Sequence, residues 1–279
     1  MHQLTFARVQ ALAGIAAALC VGILPVNGRT QAAQAVSVLY AGSLVTPMEG
    51  PIKAALARDG IEFEGEPGGS KKLANFISAG VRAPDVFIAV DPSIIAGLGN
   101  RVASSTTFAQ TAIGVAWSDR SAHAELFDRV ASGVETLAHA LQAPRLRIGR
   151  TDPKLDPKGV YTIEGMRVWL GDAGAREILG DDENAAQIFP EEELLARVET
   201  GEADVGFFYK TEAVARGYHF IPLPGKAAMA EKITYALAVM RDAPHPEAAR
   251  NFARFMLYGQ GREVLERAGL TYLTRADSR

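Results

Sequence analysis

The chain has 279 residues with 29 basic and 32 acidic side chains, a formal net charge of −3 and 48% hydrophobic residues. This balance argues against a nucleic-acid surface, and the length allows one large or two modest domains with real cores. Cys20 is the only cysteine, so if its segment is removed, disulfides, zinc thiolates and a cysteine nucleophile are excluded.

Taken in chain order, the first signal is a targeting one. Arg8 precedes an apolar run at 11–24 that is too short to span a bilayer comfortably, and Ala33, Gln34 and Ala35 form a small-residue cleavage pattern. These features predict a secretory signal peptide over 1–35. Leu19, rather than a small residue, precedes Cys20, which argues against lipid attachment there.

After it, short apolar strands alternate with helical patterns, the order of an α/β architecture with a largely parallel sheet. A strand is expected at 36–40, then a helix capped by Ser43 and stopped by Gly60. A second strand, 61–66, leads through Gly68 and Gly69 to a helix with Ser70 as its cap, Leu73, Phe76 and Ile77 as its buried face and Gly80 as its stop. "VFIAV" at 86–90 reads as a buried strand and "TAIGVAW" at 111–117 as another.

The strand at 146–149 runs into "GRTDPKLDPKGVYTIEG". Each proline restrains the aspartate before it to an extended conformation, and Pro157 suits the first turn of a helix. Asp156 is thus a natural N-cap. Ile163, Met166, Trp169 and Leu170 recur at helical spacing until Gly171. A Glu-rich helix at 190–200 stops at Gly201, "ADVGFFY" is a strand ending at Tyr209, and Thr211 is a candidate cap for the next helix. "ITYALAVM" at 233–240 is a late strand in which Tyr235 suggests an exposed or crossing position. Two helices finish the chain.

Three loop-to-helix junctions stand out: Gly42 and Ser43; Gly68, Gly69 and Ser70; and the turn at 156–159. Each offers free backbone N–H groups at the positive end of a helix, and glycine permits close approach, a combination suited to a small anion. For each, the alternative is an ordinary cap. Lys71, Lys72 and Arg150 are further candidates for charge near such a cleft, with surface solvation or, for Arg150, pairing with Asp152 as the alternative. The histidines show no metal-ligand spacing, and no P-loop or nucleophile elbow is present.

"LYAGSL", "EPGGSKKLANFI", "APDVFIAVD", "GRTDPKLDPKGVYT" and "GEADVGFFYKTEAV", in that order, resemble the periplasmic molybdate/tungstate-binding proteins of ABC importers, particularly the tungstate-binding branch. The ending "FARFMLYGQGREVLERAGL" is similar to the C-terminal helices of many periplasmic solute-binding proteins. The resemblance implies the α/β type II periplasmic binding fold, with two lobes, a ligand cleft and a hinge of crossing strands. Lobe 1 is expected at 36–110 and 224–279, and lobe 2 at 111–223. It further implies a monomeric periplasmic receptor, without cofactor or catalytic residues, that delivers molybdate or tungstate to a permease in the inner membrane.

Carried over by position, Ser43 and Ser70 would bind the oxyanion from the first lobe, and Asp156, the backbone N–H of Lys158 and Tyr209 from the second. The chain departs from the branch in two places. Lys158 stands where the branch usually has cysteine, and Phe208 where it tends to have a glutamate that can ligate the metal centre. With Phe208, a tetrahedral oxyanion held by hydrogen bonds is the expectation. Phosphate or sulfate is the alternative ligand, and a secreted two-lobed enzyme the alternative class. Ferric ion would need a tyrosine set drawn from Tyr40, Tyr209 and Tyr235.

Overall fold

The computed structural model describes residues 34–273. The predicted signal segment up to residue 33, with Cys20, lies outside the described residues. No helix among them is long and apolar enough to cross a membrane.

Ten strands form two sheets: β1 (Gln34–Ala41), β2 (Ile61–Gly68), β3 (Val86–Val90), β4 (Val102–Gln110), β5 (Ile113–Trp117), β6 (Ile148–Gly149), β7 (Val205–Tyr209), β8 (His219–Pro222), β9 (Thr234–Met240) and β10 (Thr271–Tyr272). The first sheet has the order β10-β4-β9-β3-β1-β2 and the second β6-β7-β5-β8. The all-apolar strands β3, β5 and β7 are buried along their whole length, as a sheet covered on both faces requires.

The expected largely parallel sheet is corrected to two mixed ones. Only β1–β2, β1–β3 and β6–β7 pair in parallel, while β9 and β5 run antiparallel to both of their neighbours. The reason is that β9 and β5 enter from connections between the sheets and not from a strand-helix-strand crossover, which alone enforces parallel pairing. β4 was not foreseen: "VASSTTFAQ" is polar, and most of its first five residues are exposed. Its strand character comes from being zipped to β9 and then covered by β10.

The chain passes between the sheets twice, at 111–112 and at 223–233. The two passages are bonded side by side, Thr111 N–H donating to the Ile233 carbonyl at 3.0 Å. At the second sheet, the Thr111 hydroxyl meets that of Thr211 at 3.1 Å. Thr211 is therefore a buried tether and not a helix cap; the cap position belongs to Tyr209. Tyr235, on β9 beside this crossing, is fully buried and not exposed.

Candidate functional site

After β1 the chain turns at Gly42 into a helical run over 42–58. Its first turn is a 3-10 turn with Ala41 at the cap and no side-chain cap bond. Ser43 is thus inside the first turn, buried, with its hydroxyl 2.9 Å from that of Tyr235. After β2, Gly69 is the cap of the helix Ser70–Ser78, and Ser70 is its first residue. The Ser70 hydroxyl accepts from Val90 N–H at 3.0 Å. Neither serine caps its helix, because each hydroxyl has been turned inward to satisfy a buried neighbour, a requirement periodicity cannot reveal.

The Asp-Pro element does what its sequence predicts. Asp152 Oδ1 accepts from Lys154 N–H at 2.8 Å, closing the first turn. Asp156 caps the helix Pro157–Leu179 by accepting from Lys158 N–H at 2.9 Å, and the helix breaks at Gly171, where φ is 72°. The backbone N–H of Lys158 is therefore already engaged. The Tyr209 hydroxyl is sealed from solvent without a hydrogen-bond partner among the described residues, and the buried Thr151 hydroxyl lies beside the Asp156 carboxyl, favouring its charged form. Burial raises the Asp156 carboxyl to about 6, with nearby Glu191 pushing the same way and Lys158 opposing.

The Asp-Pro turn faces the Gly69 junction. A Cβ on Gly69 would stand 2.7 Å from the Leu155 carbonyl oxygen, so only glycine lets the two backbones meet. Lys71, in the first turn of its helix, donates to the Pro153 carbonyl at 3.3 Å. Beside this contact lies a pocket of about 290 Å³, whose lining includes Gly68, Gly69, Thr151, Asp156, Phe189 and Glu191. Arg150 contributes nothing to it: the side chain is buried and donates to the carbonyls of Asp181 and Asp182 at 2.9 and 3.1 Å.

The side chain of Lys158 carries what the sequence reading missed. It is buried, and its ammonium lies 3.1 Å from Glu191 Oε1 and 2.5 Å from Glu212 Oε1. Burial works against the charged form, but the attraction of Glu191 and Glu212 outweighs it and holds the lysine pKa above its ordinary value. Glu191 opens the helix Glu191–Thr200 with Pro190 as its cap, and Glu212 lies in the first turn of Lys210–Arg216. Three helix N-termini thus converge on one ammonium. Glu212 also accepts from Tyr209 N–H at 2.9 Å, which could have been read from a glutamate three residues after a strand end. Burial raises the Glu191 carboxyl to about 8, against the pull of Lys158 and with Glu212 adding to it. A Cβ on Gly42 would collide with Glu191 Oε2, so this carboxylate reaches the Gly42 junction as well.

Tyr209 and Tyr235 meet edge to face with ring centroids 6.4 Å apart. Tyr40 does not join them in a polar set, since its hydroxyl donates to Glu49 at 2.8 Å. The five residues singled out from the sequence therefore fall on converging junctions. The Ser70 hydroxyl is bonded to Val90, and the Lys158 side chain is paired with Glu191 and Glu212.

Residues 36–271 match the family model described as bacterial extracellular solute-binding protein. A relative from Haloferax volcanii, named a putative ABC transporter molybdenum-binding protein, is 32% identical over 78% of this chain and 69% of its own length. The molybdate/tungstate-binding protein WtpA of Pyrococcus abyssi is 24% identical over 89% of this chain and 88% of its own. Among solved structures, the periplasmic molybdate-binding protein of Azotobacter vinelandii superposes with a TM-score of 0.66 at 17% identity, covering 86% of this chain and all of that one. With two mixed sheets joined by paired crossings, helix N-termini meeting between them, and this match over nearly all of the described residues, the chain belongs to the bacterial extracellular solute-binding proteins.

Proposed function

We propose that this protein is a periplasmic receptor that captures molybdate or tungstate between two lobes and delivers it to an ABC permease in the inner membrane. The observation that carries this reading is the sealed hydroxyl of Tyr209, which has no hydrogen-bond partner among the described residues at the meeting of the junctions. Buried polar groups without partners are rare in a protein interior, and a small oxyanion beside the Gly42, Gly69 and Asp156 turns would give the tyrosine its acceptor. The relatives named for molybdenum, molybdate and tungstate point to the same class of ligand.

Lobe 1 is 36–110 with 224–279 and lobe 2 is 111–223, boundaries supported by which strands share a sheet. In lobe 1 the binding groups are Ser43 and the junction of Ser70; in lobe 2 they are Asp156, Lys158 and Tyr209. Phe208, packed with its ring 5.3 Å from the Lys158 ammonium, offers no metal ligand, which favours a tetrahedral anion held by hydrogen bonds. The protein acts as a monomer and turns nothing over. Equilibrium binding of the four anions molybdate, tungstate, sulfate and phosphate tests the reading, and hydrolysis of simple phosphate esters by the purified protein would contradict it.

A further inference from the structure

The buried cluster around Lys158 has one carboxylate more than it needs. Glu212 is tied into the fold twice, at 2.5 Å to the ammonium and at 2.9 Å to Tyr209 N–H. Glu191 has no backbone tie: its Oε1 lies 3.1 Å from the same ammonium, and its carboxyl stands beside that of Glu212. Its Oε2 lies against Gly42, in the junction that carries Ser43, and the residue lines the pocket shared with Gly69 and Asp156. A carboxylate in this position has the charge, the oxygen atoms and the partners of a small oxyanion.

We infer that Glu191 sets the anion specificity of this cleft: it is a resident carboxylate, paired to Lys158 and seated on Gly42, that an incoming oxyanion must displace or meet in its protonated form. The inference rests on the oxyanion reading above. It follows from charge: one ammonium beside the carboxyls of Glu191, Glu212 and Asp156 leaves no net attraction for a dianion, and like charges a few ångströms apart in a poorly solvated site repel strongly. Protonating Glu191 lowers that repulsion, so capture of the anion takes up a proton. Fully deprotonated anions are admitted best when the surroundings supply it, and an anion carrying its own proton can donate it to the carboxylate.

The groups facing Glu191 are few. Lys158 and Asp156 come from the start of the Asp-Pro helix, Glu212 from the helix after β7, and Tyr235 from β9, while the Gly42–Leu44 turn brings no ionisable side chain. Lys72 and Glu192 line the outer pocket.

The test is titration of the ligand-free protein and of Glu191→Gln with molybdate and with phosphate from pH 6 to pH 9. Glutamine keeps the shape, and Lys158 keeps Glu212, so the variant is expected to fold. For the native protein, molybdate affinity should fall by about tenfold per pH unit once Glu191 ionises, as expected for uptake of one proton. Glu191→Gln should bind molybdate at least about tenfold tighter at pH 9, one unit of repulsion being gone, with a profile that is flat above about pH 7, where Asp156 is already ionised. The gain of phosphate relative to molybdate on going from pH 6 to pH 9 should be smaller in the variant than in the native protein. Equal, pH-independent molybdate affinities in the two proteins would overturn the inference and leave the oxyanion reading standing. Silence of both toward both anions at every pH would overturn the two together. A Glu191→Gln protein that fails to fold would also overturn it, because the carboxylate would then be structural.

Discussion

Ser43 Oγ lies 2.9 Å from the hydroxyl of Tyr235, 192 residues later in the chain, so the first junction after β1 is braced by the strand that returns from the second sheet. This places a hydroxyl at the Gly42 turn whose own fold duty is one bond to another hydroxyl. Ser43→Ala should therefore weaken oxyanion binding by about ten- to a hundredfold, the usual worth of a hydrogen bond to a charged group, with a stability loss of about 1 kcal/mol or less. Tyr235→Phe removes the brace alone and should leave affinity within about threefold. Calorimetric titration and urea unfolding of the two variants check both halves.

Ser70 behaves differently because its hydroxyl is the partner of Val90 N–H in the buried strand β3. Ser70→Ala leaves that N–H unsatisfied and should cost about 1–3 kcal/mol of stability. The loss is read as a lower urea midpoint with unchanged slope.

Lys158→Met should destabilise by about 3–5 kcal/mol, the penalty for stranding buried carboxylates without their counter-ion. Adding Glu191→Gln to that variant should recover part of the loss, since one of the two stranded charges is removed. Additive effects in a denaturation double-mutant cycle would contradict the cluster.

Glu191 and Asp156 both have folded pKa values raised above their unfolded ones, to about 8 and about 6, chiefly by burial. Such groups favour the fold most when protonated, and that contribution is lost as pH rises through the folded values. Asp85 and Asp204 run the other way. Burial raises their carboxyls, but four hydrogen bonds from Ser37 and His245 for the first, and the bonds from Arg147 for the second, outweigh it and lower the pKa. Their contribution is present above the unfolded value near 3.8 and lost as pH falls below it. Thermal melts should thus decline on both sides. Glu191→Gln should flatten the decline between about 4.5 and about 8, and Asp204→Asn the acid limb below about 4.

Much of this molecule was legible in the sequence because local rules decided it. Asp156 and Pro157 announce a capped helix start, and Gly171, Gly201 and Gly80 stop helices at positive φ, as their positions imply. β4 was not legible, since a polar strand gains its pairing from β9 and not from its own pattern. The inward turn of Ser43 and Ser70 depends on Tyr235 and Val90, partners distant in sequence. The resemblance marked Lys158 and Phe208 as separate departures, but in the fold the ammonium sits over the Phe208 ring at 5.3 Å. Glu191 read as one of three glutamates at a helix start, a common surface arrangement that complements the helix dipole; only the fold shows it buried against Lys158.

The Gly69 contact tests closure. A methyl at Gly69 would strike the Leu155 carbonyl at 2.7 Å, and a backbone carbonyl cannot swing aside. Gly69→Ala should hold the lobes apart, raise the radius of gyration measured by small-angle scattering with anion present, and reduce affinity by about tenfold or more.

The most direct measurement is calorimetric titration of the protein, purified free of ligand, with molybdate, tungstate, sulfate and phosphate in separate runs near pH 6. The account predicts one-to-one binding of molybdate or tungstate, with sulfate and phosphate weaker. No heat from the first two, with binding of phosphate or sulfate, would contradict it and make the cleft a receptor for another anion.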